Sequence, residues 1–276
     1  MGLIQPRAAL LTLYGDYGLQ IPQGEIGIGS LIELLSNFGL SEQAIRSAVS
    51  RMCRNGILKV RRMNTKSYYS LTEEGSGLLE TGKQRIFDRK KRHWNDRWTI
   101  VTYSIPEQQR TVRNQLRQEL GWLGFGPLSK ATWISPNNLI EQVEEIANRL
   151  HIKDHIQIFE TQHHGSTDPQ NIVSRCWDLK RLHKKYNDFM TKYQPKLEDY
   201  QRRLDSNISI DSSTCFVERF ELIHEYRKFP FFDPDLPVEL LPKDWLCFEA
   251  ADLFHRYYGL LTNRACEYFD SVYKRY

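Results

Sequence analysis

The stretch from Ser41 to Thr72 constrains this chain most, because its hydrophobic period changes once, at Gly56. Before that glycine, Ile45, Ala48, Val49 and Met52 recur at helical spacing, which predicts a helix from the Ser41 cap to Asn55. Gly56 is placed as its stop. After it, Ile57-Leu58-Lys59-Val60-Arg61 alternates, Met63-Asn64-Thr65-Lys66 turns, and Ser67 to Thr72 returns, the pattern of a β-hairpin. An amphipathic helix delivered straight into a basic-tipped hairpin leaves few folds open.

The residues upstream narrow them further. Residues 7–17 predict a first helix, with Ala9, Leu10, Leu13, Tyr14 and Tyr17 on one face. A Gly/Pro-rich break spans Gly18 to Gly29. Ser30-Leu31-Ile32-Glu33 then reads as a capping box opening a short helix with Leu31, Leu34, Leu35 and Phe38 inward, stopped by Gly39. Two short helices joined at Gly39-Leu40 read as a helix-turn-helix, and the hairpin behind them as its wing. The outward face of the third helix carries Gln43, Arg46, Ser47, Ser50, Arg51 and Arg54, with Glu42 the only acid in that helix. The hairpin adds Arg61, Arg62 and Lys66. Small or cationic donors in this arrangement suit base edges in a major groove and the phosphates beside it, so the face is read as a contact for double-stranded DNA. Charge agrees: residues 1–97 hold 15 Lys+Arg against 9 Asp+Glu, within a chain whose net charge is only +4. A sign asymmetry this local is what a phosphate-binding surface requires.

Residues 73–95 read as a helix leaving the wing, carrying Lys83, Arg85, Arg89, Lys90, Lys91 and Arg92. From Trp98 the order is strand, helix, strand, helix, strand, with Gly124 and Gly126 able to split the middle strand into a hairpin. That order predicts a ferredoxin-like unit. Trp98, Trp122, Phe125, Trp133 and Phe159 are assigned to its core. Past Ser174 the chain reads as helical: a long amphipathic segment bent or broken at Pro195, a helix over 216–229, a proline-rich turn, and a final helix over 247–273. The fold class is thus α+β multidomain, with a winged helix-turn-helix and connector over 1–95, a ferredoxin-like domain over 96–172, and an α-helical domain over 173–276.

Chemistry-bearing patterns are scarce. No Gly-rich phosphate loop, nucleophile elbow or H-E-x-x-H occurs. The loop His163-His164-Gly-Ser-Thr-Asp168 is weak evidence for a metal. Five scattered cysteines without a C-x-x-C argue for reduced, buried thiols. No apolar run approaches the roughly 18–20 residues of a membrane span, and no signal peptide is evident at the start. The reading is a cytoplasmic non-enzyme with no cofactor, no metal and no membrane partner.

Several short motifs resemble a known family. S-E-Q-A-I-R-S-A-V-S-R-M (41–52), Y-S-L-T-E-E-G (69–75), C-W-D-L (176–179), H-E-Y-R (224–227), L-P-V-E-L-L-P-K-D-W (236–245) and the Trp98–Ser135 block resemble PaaX-family transcriptional repressors of phenylacetate degradation. The resemblance implies a winged-helix domain, a Cas2-like middle domain and a helical C-terminal domain. It also implies a homodimer on an inverted-repeat operator, released by an aryl-CoA thioester such as phenylacetyl-CoA. Trp177, His224, Arg227 and Trp245, which fall in or next to these motifs, are the candidate effector contacts. Cas2-like nucleases place an aspartate at the end of the first strand; here Ser104 stands there, and it supplies no carboxylate for Mg²⁺. The alternatives are an effector-independent DNA-binding protein and a metal-dependent Cas2-like nuclease.

Overall fold

The structure is a computed structural model that describes residues 4–18, 21–87 and 91–274. They fall into two compact units. One comprises Met1–Arg89, Phe189–Arg227 and Glu249–Tyr276; the other comprises Lys90–Asp188 and Lys228–Phe248.

In the first unit, α1 (Pro6–Tyr17) buries Ala9, Leu10, Leu13, Tyr14 and Tyr17 as its spacing predicts. Pro6 suits the first turn, where its missing N–H has no helical partner to lose. Next, α2 (Ile28–Ser36) and α3 (Glu42–Arg54) meet across Gly39, whose φ of +72° favours a residue without Cβ. The Ser41 hydroxyl accepts from the Ala44 N–H at 3.3 Å and caps α3. Ile45, Ala48, Val49 and Met52 are the residues α3 buries, each worth roughly 1–3 kcal/mol of transfer free energy at most. Gly56, at φ +70°, ends the helix.

The hairpin follows as β2 (Leu58–Met63) and β3 (Lys66–Leu71), with Met63 opposite Lys66. A two-residue strand, β1 (Ile26–Gly27), pairs with the other side of β3, giving an antiparallel sheet in the order β1-β3-β2. Tyr14 Oη donates to the Tyr69 carbonyl at 2.8 Å and ties α1 to the sheet. Thr72 donates to the Gly56 carbonyl and accepts from the Gly75 N–H, so the hairpin closes where α4 (Glu73–Phe87) begins.

Two sequence-based expectations fail here. The capping box does not form: α2 starts at Ile28 behind Gly27, and Ser30 is turned into the core, 1% exposed, with no partner for its hydroxyl among the described residues. The connector helix is shorter than 73–95, since α4 ends at Phe87 and residues 91–97 are not helical. Arg89 and Lys90 lie outside the described residues.

The rest of the unit is helical. It takes the C-terminal part of α8 (Leu179–Asp205), all of α9 (Ser212–Tyr226) and nearly all of α10 (Cys247–Tyr273). α8 remains one helix through Pro195, where a bend or break is predicted; Tyr193, Leu197 and Tyr200 on either side are buried and hold it. Asp211 caps α9 by accepting from the Thr214 N–H at 3.0 Å.

The second unit contains β4 (Trp98–Tyr103), α5 (Arg110–Leu123), β5 (Gly126–Pro127), β6 (Thr132–Ser135), α6 (Ile140–Arg149) and β7 (Ile156–Thr161). Its sheet runs β5-β6-β4-β7 with all neighbours antiparallel, so the middle strand is indeed split into a hairpin. The order is that of a ferredoxin-like unit. Val101, Tyr103, Leu116, Leu120, Trp133 and Val143 are among its core. Trp122 and Phe159 are 52% and 51% exposed, contrary to their assignment to that core. Phe159 shares the outer face of the sheet with Ile100, its β4 partner, because alternate residues of a strand point to opposite sides. On that face Gly126 lies against α7 (Pro169–Cys176) and Trp177.

Candidate nucleic-acid interface

Local chemistry fixes the solvent face of α3. With Ile45, Ala48, Val49 and Met52 held inward, the 3.6-residue period leaves Gln43, Arg46, Ser47, Ser50, Arg51 and Arg54 outward, and all six are exposed. Arg61, Arg62 and Lys66 on the hairpin are exposed too. Both elements belong to the same compact unit, so its surface carries all nine predicted contacts.

These cations are not equivalent. Arg46 is bound by Glu42 one turn earlier, Nε to Oε1 at 2.8 Å. Arg61 is held more firmly: its guanidinium forks onto Glu25 at 2.5 and 2.8 Å and lies 5.3 Å from the centre of the Tyr68 ring. The hydrogen bond from Arg61 holds the Glu25 carboxyl below the usual carboxylate range. Among the described residues, Arg51, Arg54 and Arg62 have no carboxylate partner. The sequence reading missed that Glu25 and Glu42 restrain two of the cations. An i, i+4 spacing could have exposed the second pair; no local signal joins Glu25 to Arg61, 36 positions away.

The four candidate effector residues divide between the units. In the first, His224 is 6% exposed and its Nδ1 lies 2.9 Å from Thr12 Oγ1 on α1. Arg227 sends Nη2 to the Ala8 carbonyl at 3.3 Å, and burial lowers its pKa. In the second, Trp177 donates from Nε1 to the Gly124 carbonyl at 3.1 Å. It lines a cavity of about 250 Å³ with Arg181, Lys185 and Phe232. Trp245 is buried, with its Nε1 unpartnered among the described residues and Tyr186 set edge-on at 5.9 Å.

Ser104 sits just past β4, exposed, its N–H donating to the His155 carbonyl at 2.8 Å. Asp168 of the two-histidine loop is spent capping α7, accepting from the Gln170 N–H at 2.8 Å. Among the described residues no three His, Cys, Asp or Glu side chains come together as metal ligands. No described helix is long and apolar enough to cross a membrane.

Fold and surface together define a mixed α+β chain with a Cas2-like centre, helical C-terminal elements and a basic helix face in its N-terminal region. Three family models match in order: "PaaX-like protein" over residues 5–75, "PaaX protein central Cas2-like domain" over 91–173, and "PaaX-like protein C-terminal domain" over 177–271. The chain belongs to the PaaX family. It is 28% identical over 245 residues to the transcriptional repressor PaaX of Escherichia coli strain K12, covering 88% of this chain and 76% of that one. That likeness supports a repressor role. An uncharacterized protein from Mycobacterium tuberculosis shares the fold, with a TM-score of 0.60 at 20% identity across 96% of this chain and 98% of that one.

Proposed function

We propose that the chain is a DNA-binding transcriptional repressor of an aromatic, phenylacetate-type catabolic operon, acting in the cytoplasm and without catalysis. The observation that carries this reading is the exposed face of α3, where Arg51 and Arg54 stand without carboxylate partners beside Gln43, Ser47 and Ser50. In this reading α2 and α3 are a helix-turn-helix and the β2–β3 hairpin is its wing. α3 enters a major groove, and Arg61, Arg62 and Lys66 follow the backbone. A homodimer presents two such helices to half-sites one helical turn apart, about 34–36 Å, so its operator is an inverted repeat.

Repression then needs occupancy alone, and derepression needs a ligand that prefers a conformation unsuited to DNA. The proposed ligand is an aryl-CoA thioester such as phenylacetyl-CoA, with Trp177, His224, Arg227 and Trp245 as the motif-derived candidates for its recognition. Titration of Arg227→Ala with phenylacetyl-CoA tests that set: wild-type affinity removes Arg227 from it. Arg51→Ala and Arg54→Ala test the DNA face: undiminished operator binding by both removes α3 from the interface.

A further inference from the structure

We propose that the acyl end of the effector is bound in the first compact unit, in the cavity between α8, α9 and α10. This inference rests on the ligand-released repressor reading and gives it a location. The cavity holds about 300 Å³ and is lined by Lys196, Tyr200, Arg203, Cys215, Tyr257 and Leu261, among others. That volume lies at the lower end of small-molecule sites, roughly 300–1,000 Å³. It admits an aryl-acyl group and leaves a bulky nucleotide-bearing carrier outside.

The lining chemistry fits a thioester of an aromatic acid. Tyr257 and Leu261 supply an apolar wall, both nearly fully buried. Among the described residues, Tyr200 Oη meets Cys215 Sγ at 3.6 Å and, by a long hydrogen bond, the Leu260 carbonyl at 3.4 Å. A ligand carbonyl oxygen at ordinary hydrogen-bonding distance, about 2.7 Å, would be a better acceptor than either. Lys196, Tyr200 and Arg203 follow one another at i, i+4 and i+7 on one face of α8, and all three line the cavity. Lys196 is paired with Glu218 at 3.1 Å and Arg203 with Asp199 at 2.8 Å. Cys215 and Glu218 of α9 are part of the lining, so an acyl group that fills the cavity bears directly on α9.

α9 carries the disturbance toward DNA. Cys215 and Glu218 of α9 line the cavity, and Arg219, the next residue, makes the buried pair with Asp16 of α1. Further along, His224 near the end of α9 holds Thr12, and Arg227, the residue just past the helix, holds the Ala8 carbonyl. α1 packs directly against α3. A helix with one end on the cavity and a row of polar contacts on α1 is a physical link from ligand to recognition helix. In this link His224 and Arg227 hold the end of α9 to α1.

The test uses the full-length protein, phenylacetyl-CoA as probe, and two variants. Tyr200→Phe removes one hydroxyl, and Leu261→Trp fills the cavity. Isothermal titration should show at least tenfold weaker thioester binding for both. Gel-shift should show each variant still bound to operator DNA at thioester concentrations that release the wild type. Retained DNA binding reports that the variants are folded; should Leu261→Trp lose it, Tyr200→Phe alone decides. Wild-type thioester affinity in Tyr200→Phe overturns the proposal, as does loss of binding on Trp177→Ala with Tyr200→Phe unaffected. Tyr200-dependent thioester binding by a protein that shifts no DNA would instead uphold the cavity and overturn the repressor reading.

Discussion

Asp16 and Arg219 form a fully buried, two-pronged ion pair, Oδ2 to Nε at 2.9 Å and Oδ1 to Nη2 at 2.8 Å, with side chains 0% and 1% exposed. Tyr258 Oη completes the group, donating to Asp16 Oδ1 at 2.5 Å and accepting from Arg219 Nη2 at 2.6 Å. Burial alone would lower the Arg219 pKa; the Asp16 carboxylate more than offsets it, and the net shift is upward. Such a pair is weak evidence for stability in itself, because two charges have left water, but its removal by halves is costly. It joins α9 to α1 through a single two-pronged contact.

Asp16→Ala should therefore destabilise the protein by about 3–5 kcal/mol, since Arg219 is left charged and unpaired in the interior. The double variant Asp16→Leu with Arg219→Met should recover much of that loss. Urea midpoints of the two variants check this, and a single-variant cost under about 1 kcal/mol would contradict it.

On the proposed reading of α3, the Arg46–Glu42 pair holds a cation back from DNA. Glu42→Gln should raise operator affinity, because Arg46 no longer has to leave a carboxylate to reach a phosphate. Arg54→Ala should lower it and, for a phosphate contact, reduce the slope of log affinity against log salt by about 1. Filter binding across a salt series distinguishes this from a base contact, whose loss depends on the sequence bound.

Ser30 is a buried hydroxyl with no partner among the described residues. Ser30→Ala should be neutral or stabilising by up to about 1 kcal/mol, because it removes an unsatisfied group without opening a large space. Thermal unfolding measures it, and a clear loss of stability would show that the hydroxyl has a bond.

A Cβ on Gly126 would lie 2.7 Å from both Cys176 Cβ and the Trp177 ring. Gly126→Ala should cost about 1–3 kcal/mol by overpacking. It should also shift the Trp177 fluorescence, and an unchanged spectrum and midpoint would refute the close approach.

The Asp211 cap is acid-sensitive. Its carboxyl pKa is depressed first by the Ser213 hydroxyl and then by the Thr214 N–H. A folded pKa below the unfolded one means that this contribution is present above the unfolded value and is lost as pH falls through the folded value. Protection of the first amides of α9, taken relative to their intrinsic exchange, should therefore persist as pH falls through the ordinary carboxylate range and be lost only below it. Protection lost already above that range would contradict the cap.

Local pattern made α3 and its hairpin legible in the sequence: one helical period, a serine cap, a glycine stop and an alternating return determine Ile45, Ala48, Val49 and Met52 as inward. The middle sheet was legible as a string of elements, with the hairpin at Gly126 marked by its glycines. Ser30 misled because a capping box and a buried serine on an apolar helix look alike until the start of α2 is known. Trp122 and Phe159 misled because aromatic character does not say which face of a helix or sheet is covered. The link from α1 to α9 was invisible: Asp16 and Arg219 are 203 positions apart, and each alone reads as an ordinary surface charge.

The most direct test of the account is a gel-shift on the DNA upstream of this protein's own gene neighbourhood, with wild type and Arg51→Ala, in the presence and absence of phenylacetyl-CoA. The account predicts a specific wild-type shift that the thioester abolishes and free phenylacetate does not, weakened by Arg51→Ala. A shift equally strong for the variant and indifferent to the thioester would contradict it.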